Sequence, residues 1–167
     1  IAELDALVEE VLLTSRLDAA AALEVREPVA LLPLLVEEAA RVGAVVNGDD
    51  VQVPGDERLL RRAARNLLEN ARRYGGNEVQ ASVAARPGAS GGRVELRICD
   101  RGPGVPEADR DRIFEPFFRL PGHAEFEGGV GLGLSLVRQI ALRHGGSVRC
   151  EARAGGGSCF VLDLPAV

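Results

Sequence analysis

The stretch RNLLENARRYGG, residues 65–76, sets two carboxamides, Asn66 and Asn70, four positions apart inside an otherwise apolar helical pattern. That spacing puts both amides on one helix face, with Arg73 and Tyr74 about a turn further along. Carboxamide oxygens are hard donors of the kind Mg²⁺ accepts while it shares its shell with phosphates and water. Arg73 suits phosphate oxygens, and Tyr74 offers a flat face to a base or ribose. Two asparagines that only hydrogen-bond neighbouring backbone inside a core helix satisfy the same spacing.

A second cluster is ICDRGPGVP, residues 98–106, in which Asp100 ends an apolar strand pattern and Gly102, Pro103, Gly104, Val105 and Pro106 follow. A strand-terminal carboxylate facing a pocket can accept the exocyclic amine of adenine, and bare glycine backbone can approach the ring. Selectivity follows, because a buried acceptor left unpaired is costly. A plain turn with a capping aspartate gives the same pattern. In EGGVGLGLSLVRQI, residues 127–140, a glycine run opens a helical pattern. Unpaired N–H groups at such a helix start hold phosphate, although glycine runs also serve as simple flexible loops. Between these lie Phe114, Phe117, Phe118 and Phe126, four of the five phenylalanines. Rings this dense in a glycine-rich, charged stretch suit a lid pinned over a ligand, or a small satellite core under a long loop.

These residues need a scaffold, and the hydrophobic periodicity supplies one. Residues 1–17 follow an amphipathic helical pattern, and residues 18–28 a weakly patterned connector. LLPLLVEEAARVG reads as a helix with a glycine stop. Residues 44–46 and 51–53 read as short strands, joined by NGDD as a hairpin. Asp56 is the expected N-cap of a long helix reaching about Tyr74. NEVQASVAARP and GRVELRICD read as an antiparallel hairpin. Residues 107–113 form a short helical candidate inside an irregular stretch. A helix over about 131–144 and two strands, GSVRCEAR and GSCFVLDLP, close the chain. The sum is a two-layer α/β sandwich, a mixed and mostly antiparallel sheet against about three helices.

The 167 residues fit one domain with room for a short appendage. A formal charge of −5 argues against general binding to nucleic acid, and all 20 basic residues are arginine, so any side-chain cation on a phosphate must be a guanidinium. Methionine is absent, which reads as a fragment excised from a longer protein. Cys99, Cys150 and Cys159 have neither CxxC spacing nor a histidine cluster nearby and are expected to be free buried thiols, in keeping with a reducing cytoplasm. No apolar run approaches a membrane span, so the piece is expected to be soluble without membrane contact.

Taken in order, the motifs resemble the catalytic and ATP-binding domain of sensor histidine kinases, within the GHKL superfamily. NLLENARRY resembles the N box, DRGPGVP the G1 box, IFEPFFR the F box and GGVGLGLSL the G2 box, and the likeness spans about residues 28–165. Four ordered motifs are specific where one would be weak. The resemblance implies the Bergerat fold over residues 21–167, a lid at about 105–128, and residues 1–20 as the end of a dimerisation-domain helix with its connector. It implies Asn70 as Mg²⁺ ligand, Asn66 beside it acting on phosphate or metal-bound water, Arg73 facing the phosphates and Tyr74 along the nucleotide. It also implies Asp100 on the adenine amine with Gly102, Gly104 and Val105 around the base, and Ser158 reaching it through water. Gly129, Gly131, Leu132 and Gly133 would hinge the lid and approach the phosphates. Val130 departs from the pattern, since a small hydroxyl residue is common there.

The resemblance further implies ATP and Mg²⁺ as cofactors and transfer of the γ-phosphate to a histidine on a dimerisation domain. The onward acceptor is a response-regulator aspartate. Homodimerisation is expected of the full-length protein, which is cytoplasmic or anchored at the inner membrane. Neither His123 nor His144 stands in a phosphoacceptor context, and His144 reads as a structural helix end. A serine kinase of the anti-sigma-factor type and a nucleotide-binding module with decayed catalysis remain alternatives. A hydrolytic relative would want a glutamate where this chain has Asn66, a poor base.

Overall fold

Asp56 starts the central helix as expected: its Oδ1 accepts the N–H groups of Arg58 at 3.0 Å and Leu59 at 3.4 Å. Two donors that helix geometry leaves unpaired are thereby satisfied. The computed structural model describes residues 25–75, 78–87, 92–118 and 133–166. The amphipathic pattern of residues 1–17, His123, Phe126 and Gly128–Leu132 lie outside the described residues.

The element order is β1 (Glu27–Ala30), α1 (Leu31–Ala40), β2 (Val45–Gly48), β3 (Gln52–Gly55), α2 (Glu57–Gly75), β4 (Gln80–Arg86), β5 (Arg93–Cys99), α3 (Gly133–Arg143), β6 (Ser147–Ala152) and β7 (Ser158–Pro165). Five strands form one sheet in the order β2-β4-β5-β7-β6, parallel only between β2 and β4. The three helices lie side by side on this sheet with α2 in the middle. Leu67, Leu68 and Ala71 of α2 and Leu136 and Ile140 of α3 share the buried core with Val94, Leu96 and Ile98 of β5 and Phe160, Leu162 and Leu164 of β7. The alternation of β5 and β7 therefore aims even-numbered side chains at the helices and odd-numbered ones at the opposite face.

That opposite face carries a charge lattice. Glu95 lies across the ladder from Asp163, two like charges side by side. Arginines resolve the conflict: Arg149 Nη2 reaches Glu95 at 3.0 Å, Arg86 Nη2 reaches it at 3.2 Å, and Arg93 Nε reaches Asp163 at 2.8 Å. The Arg149 hydrogen bond, working against burial, holds the Glu95 carboxyl below its usual range. On the helix side, Glu38 of α1 is buried but accepts from Arg65 Nε at 2.8 Å and Arg61 Nη1 at 3.0 Å. Burial raises its pKa, and the two arginines outweigh that, so it also lies below the carboxylate norm.

Two local expectations are corrected. NGDD does not close a hairpin: β3 pairs antiparallel with β1, an element that the residue pattern did not reveal, and β2 pairs parallel with β4. Both strands have only four residues, so long-range partners outweigh the turn signal. The helix expected over 107–113 is two single 3₁₀ turns, Glu107–Asp109 and Arg112–Phe114. Only the second buries side chains, Ile113 and Phe114, so a continuous helix would gain little.

His144 closes the end of α3 and is 1% exposed. Its Nε2 accepts the Asp56 N–H at 3.1 Å, which leaves the proton on Nδ1 to be donated to the Ile140 carbonyl at 2.7 Å. The ring thus joins the end of α3 to the cap of α2. Burial lowers its pKa below the ordinary 6.5; the Ile140 bond and Asp56 oppose that, and Arg26 and Arg143 add to it. Because the unfolded chain binds the proton more readily, this contribution is complete above about pH 6.5 and is lost as pH falls toward the folded-state pKa. His144→Leu is expected to cost about 1–3 kcal/mol at pH 8 by orphaning the Asp56 N–H, and to flatten the loss of Tm between pH 7 and 5. Thermal melts of both proteins across that range check it.

Candidate functional site

Asp100 follows the last residue of β5 and points to the helix side, 4% exposed. Its Oδ1 accepts the N–H groups of Gly102 at 2.9 Å and Ser158 at 3.3 Å, while its own N–H donates to the Ser158 carbonyl at 2.9 Å. Oδ2 makes no hydrogen bond among the described residues. One oxygen is therefore spent on fixing the carboxylate and the other is left as an acceptor. Backbone donors hold the group in one orientation at no side-chain entropy cost, which is the condition for selective recognition of a donor.

The end of α2 lies directly against this turn. A side chain on Gly75 would collide with Cβ of Asp100, and one on Gly102 would collide with the Tyr74 carbonyl. Gly102 is thus bare because the helix end occupies the space, whatever else the turn approaches. Gly104 adopts φ 81°, a left-handed conformation that favours glycine, beside Gly157 and Ser158. Val105 packs against the core, and its carbonyl accepts Arg110 Nε at 3.2 Å.

On α2 the two asparagines part company. Asn66 Nδ2 donates to the Gly133 carbonyl at 3.2 Å, tying the middle of α2 to the start of α3. The carboxamide of Asn70 makes no hydrogen bond among the described residues and is half-buried. Asn70 lies about 7 Å along the helix axis from Gly75, by the helical rise of about 1.5 Å per residue. Tyr74 and Gly75 end α2 against Asp100 and Gly102, with Gly104 and Ser158 beside them. Arg73 is exposed and Tyr74 half-buried in that last turn, and Asn70 stands one turn earlier on the same helix. Gly133 is held by Asn66, whereas Gly129, Gly131 and Leu132 lie outside the described residues.

The phenylalanines divide as well. Phe114 is buried edge-on against Phe160 of β7, with ring centroids 6.2 Å apart. Phe118 receives the Arg112 guanidinium 4.9 Å from its centroid. Phe117 is 68% exposed with φ 67°. Of the rings expected to pin the loop, Phe114 therefore anchors it to the sheet.

The cysteines are not all free. Cys99 and Cys159 form a disulfide with Cα atoms 4.0 Å apart, and only Cys150 is a free thiol. They stand 60 positions apart, and nothing in that spacing signalled the pairing. The β5–β7 register placed them opposite one another. The expectation of three free thiols falls, and with it the support it lent to a reducing compartment. Burial pushes the Cys150 thiol up to about 11 despite a hydrogen bond with the Ser158 side chain, so it remains protonated and unreactive.

A family model described as histidine kinase-, DNA gyrase B-, and HSP90-like ATPase matches residues 55–167. The chain belongs to this family. Sensor-like histidine kinase SenX3 of Mycolicibacterium smegmatis is 41% identical over 115 residues, covering 68% of this chain and 29% of that protein. Sensor protein RstB of Escherichia coli is 37% identical over 179 residues, covering 99% of this chain and 40% of that protein. The crystal structure of the ATP binding domain of PrrB from Mycobacterium tuberculosis superposes with a TM-score of 0.69 at 31% identity, covering 86% of this chain and 99% of that one. The chain thus spans 29–40% of the length of the two curated relatives. The ATPase-family fold, which among the described residues is a five-stranded mixed sheet under three helices, is the sandwich read from the sequence. Among the described residues, no helix is long and apolar enough to cross a membrane.

Proposed function

We propose that this chain is the ATP-binding catalytic domain of a sensor histidine kinase, which binds Mg-ATP and passes the γ-phosphate to a histidine on a dimerisation domain of the same protein. The observation that carries it is Asp100, one oxygen fixed by two backbone N–H groups and the other left to accept the adenine amine. Gly102, Gly104 and Val105 shape the base pocket around it, and Ser158 reaches the base through water. Tyr74 lies along the nucleotide. Arg73 faces the phosphates, and Gly133 at the start of α3, together with Gly129, Gly131 and Leu132 that precede it in the sequence, offers them backbone N–H groups.

The metal fits the donor set, because the Asn70 carboxamide is a hard oxygen ligand that no described residue engages. Held by Asn70, Mg²⁺ would supply charge neutralisation on the phosphates. Asn66 holds α3 in register with α2 and contributes to phosphate or metal-bound water. Phosphoryl transfer demands positioning and charge neutralisation more than covalent help from the protein. Nothing at the Asn66 position can serve as a strong base for water, which favours transfer to an external imidazole over hydrolysis.

The acceptor histidine belongs to the dimerisation domain, the next acceptor is a response-regulator aspartate, and the full-length protein acts as a homodimer. Incubation with γ-labelled ATP and a separately supplied cognate histidine domain is expected to give acid-labile, base-stable phosphohistidine on that domain and none on this chain. Stable label on this chain alone would sink the reading. Tight ATP binding without transfer in trans would instead favour a nucleotide-binding module.

A further inference from the structure

The disulfide stands one residue from the base-recognition pair on both strands. Cys99 precedes Asp100, Cys159 follows Ser158, and the two cysteines are register partners. The Asp100–Ser158 backbone hydrogen bond forms the next rung, and that rung also carries the Ser158 N–H that fixes Asp100 Oδ1. Beyond it the ladder ends. Alternation places the sulfurs on the face opposite the Asp100 carboxylate, so a bond can form or break there without occupying the nucleotide side. The cross-link also joins the two ends of residues 100–158, which include the irregular segment and α3.

We propose that Cys99 and Cys159 form a reversible redox modification site that controls nucleotide affinity by clamping or releasing the strand ends that carry Asp100 and Ser158. The inference rests on the reading of Asp100 as the base acceptor. The chemistry is thiol–disulfide exchange with a small disulfide such as oxidised glutathione. In the reduced protein the Cys99 thiolate attacks glutathione disulfide and expels one glutathione thiolate, which takes up a proton. The Cys159 thiolate then attacks the Cys99 sulfur of the mixed disulfide and expels the second. Two protein thiols are oxidised, and one glutathione disulfide is reduced to two thiols. Cys99 is half-buried and Cys159 buried, so Cys99 is the sulfur that meets the external reagent. Once reduced, the terminal rung is held by hydrogen bonds alone, the Asp100–Ser158 backbone bond and the Ser158 N–H on Asp100 Oδ1, and opens more readily, as strand ends do.

The test compares Mg-dependent binding of a fluorescent ATP analogue to the chain equilibrated with oxidised glutathione or with dithiothreitol. The oxidised protein is expected to bind roughly fivefold more tightly, with slower hydrogen exchange at the Asp100 amide, because less ordering remains to be done on binding. Cys159→Ala should show the weaker affinity under both conditions, and Cys150→Ala should keep the difference. Equal affinity and equal Asp100 exchange in both states of the natural sequence would overturn the inference while leaving the nucleotide site standing. A difference that persists in Cys159→Ala would overturn it too. Absence of nucleotide binding in both states would overturn the site reading and this inference together.

Discussion

Asp100→Asn is expected to weaken ATP binding by about a hundredfold while sparing ITP. The reason is which atom the fold will place where. Oδ1 receives two backbone N–H groups, from Gly102 and Ser158, so the amide oxygen of an asparagine must take that position. Its NH₂ then faces the adenine amine, donor against donor. Loss of a charge-assisted hydrogen bond and an unpaired donor together cost about 3 kcal/mol, or roughly two powers of ten. The hypoxanthine of ITP offers a carbonyl at the same place and accepts from the new NH₂. Calorimetric titration of both nucleotides into both proteins reads this directly. A parallel loss for ATP and ITP would mean that the substitution had merely damaged the turn, and an unchanged ATP affinity would remove Asp100 from the site.

Asn70→Ala is expected to lower phosphotransfer to a separately supplied histidine domain by about 10²–10³, the scale on which loss of one preorganised charge-stabilising contact is felt. Nucleotide binding without metal should be little changed, because the proposed base acceptor is Asp100 and the carboxamide of Asn70 makes no hydrogen bond among the described residues. The signature is therefore a loss of the Mg²⁺-dependent increment in affinity. Asn66→Ala behaves differently, since it releases Gly133 from α2 and should lower stability as well as activity. If Asn70→Ala kept the full Mg²⁺ increment, the metal would have to lie elsewhere.

These two residues also mark how far the chain could be read before its fold was known. Asn66 and Asn70 share a helix face by spacing, yet only the packing of α3 against α2 separates the one that bonds to Gly133 from the one that does not. Asp100 was legible as a strand-terminal acceptor. That its Oδ1 is already committed depends on Ser158, 58 residues away. Gly102 likewise reads as backbone kept bare for a base, and the tertiary structure shows the Tyr74 carbonyl standing in that space.

What residue order determined by itself was local and periodic. The Asp56 cap, the course of α2, the β4–β5 hairpin and the two closing strands each follow from propensities and side-chain periods within about twenty residues. The four ordered motifs pointed in advance to the ATPase family that residues 55–167 match. Pairing of short or distant segments was decided by tertiary structure alone. β1 became a strand only because β3 was there to pair with it, and NGDD failed as a hairpin because β2 found β4. Cys99 met Cys159 because the β5–β7 register put them face to face. In each case the deciding energy lies in contacts between residues far apart in the chain, and local patterns carry no record of them.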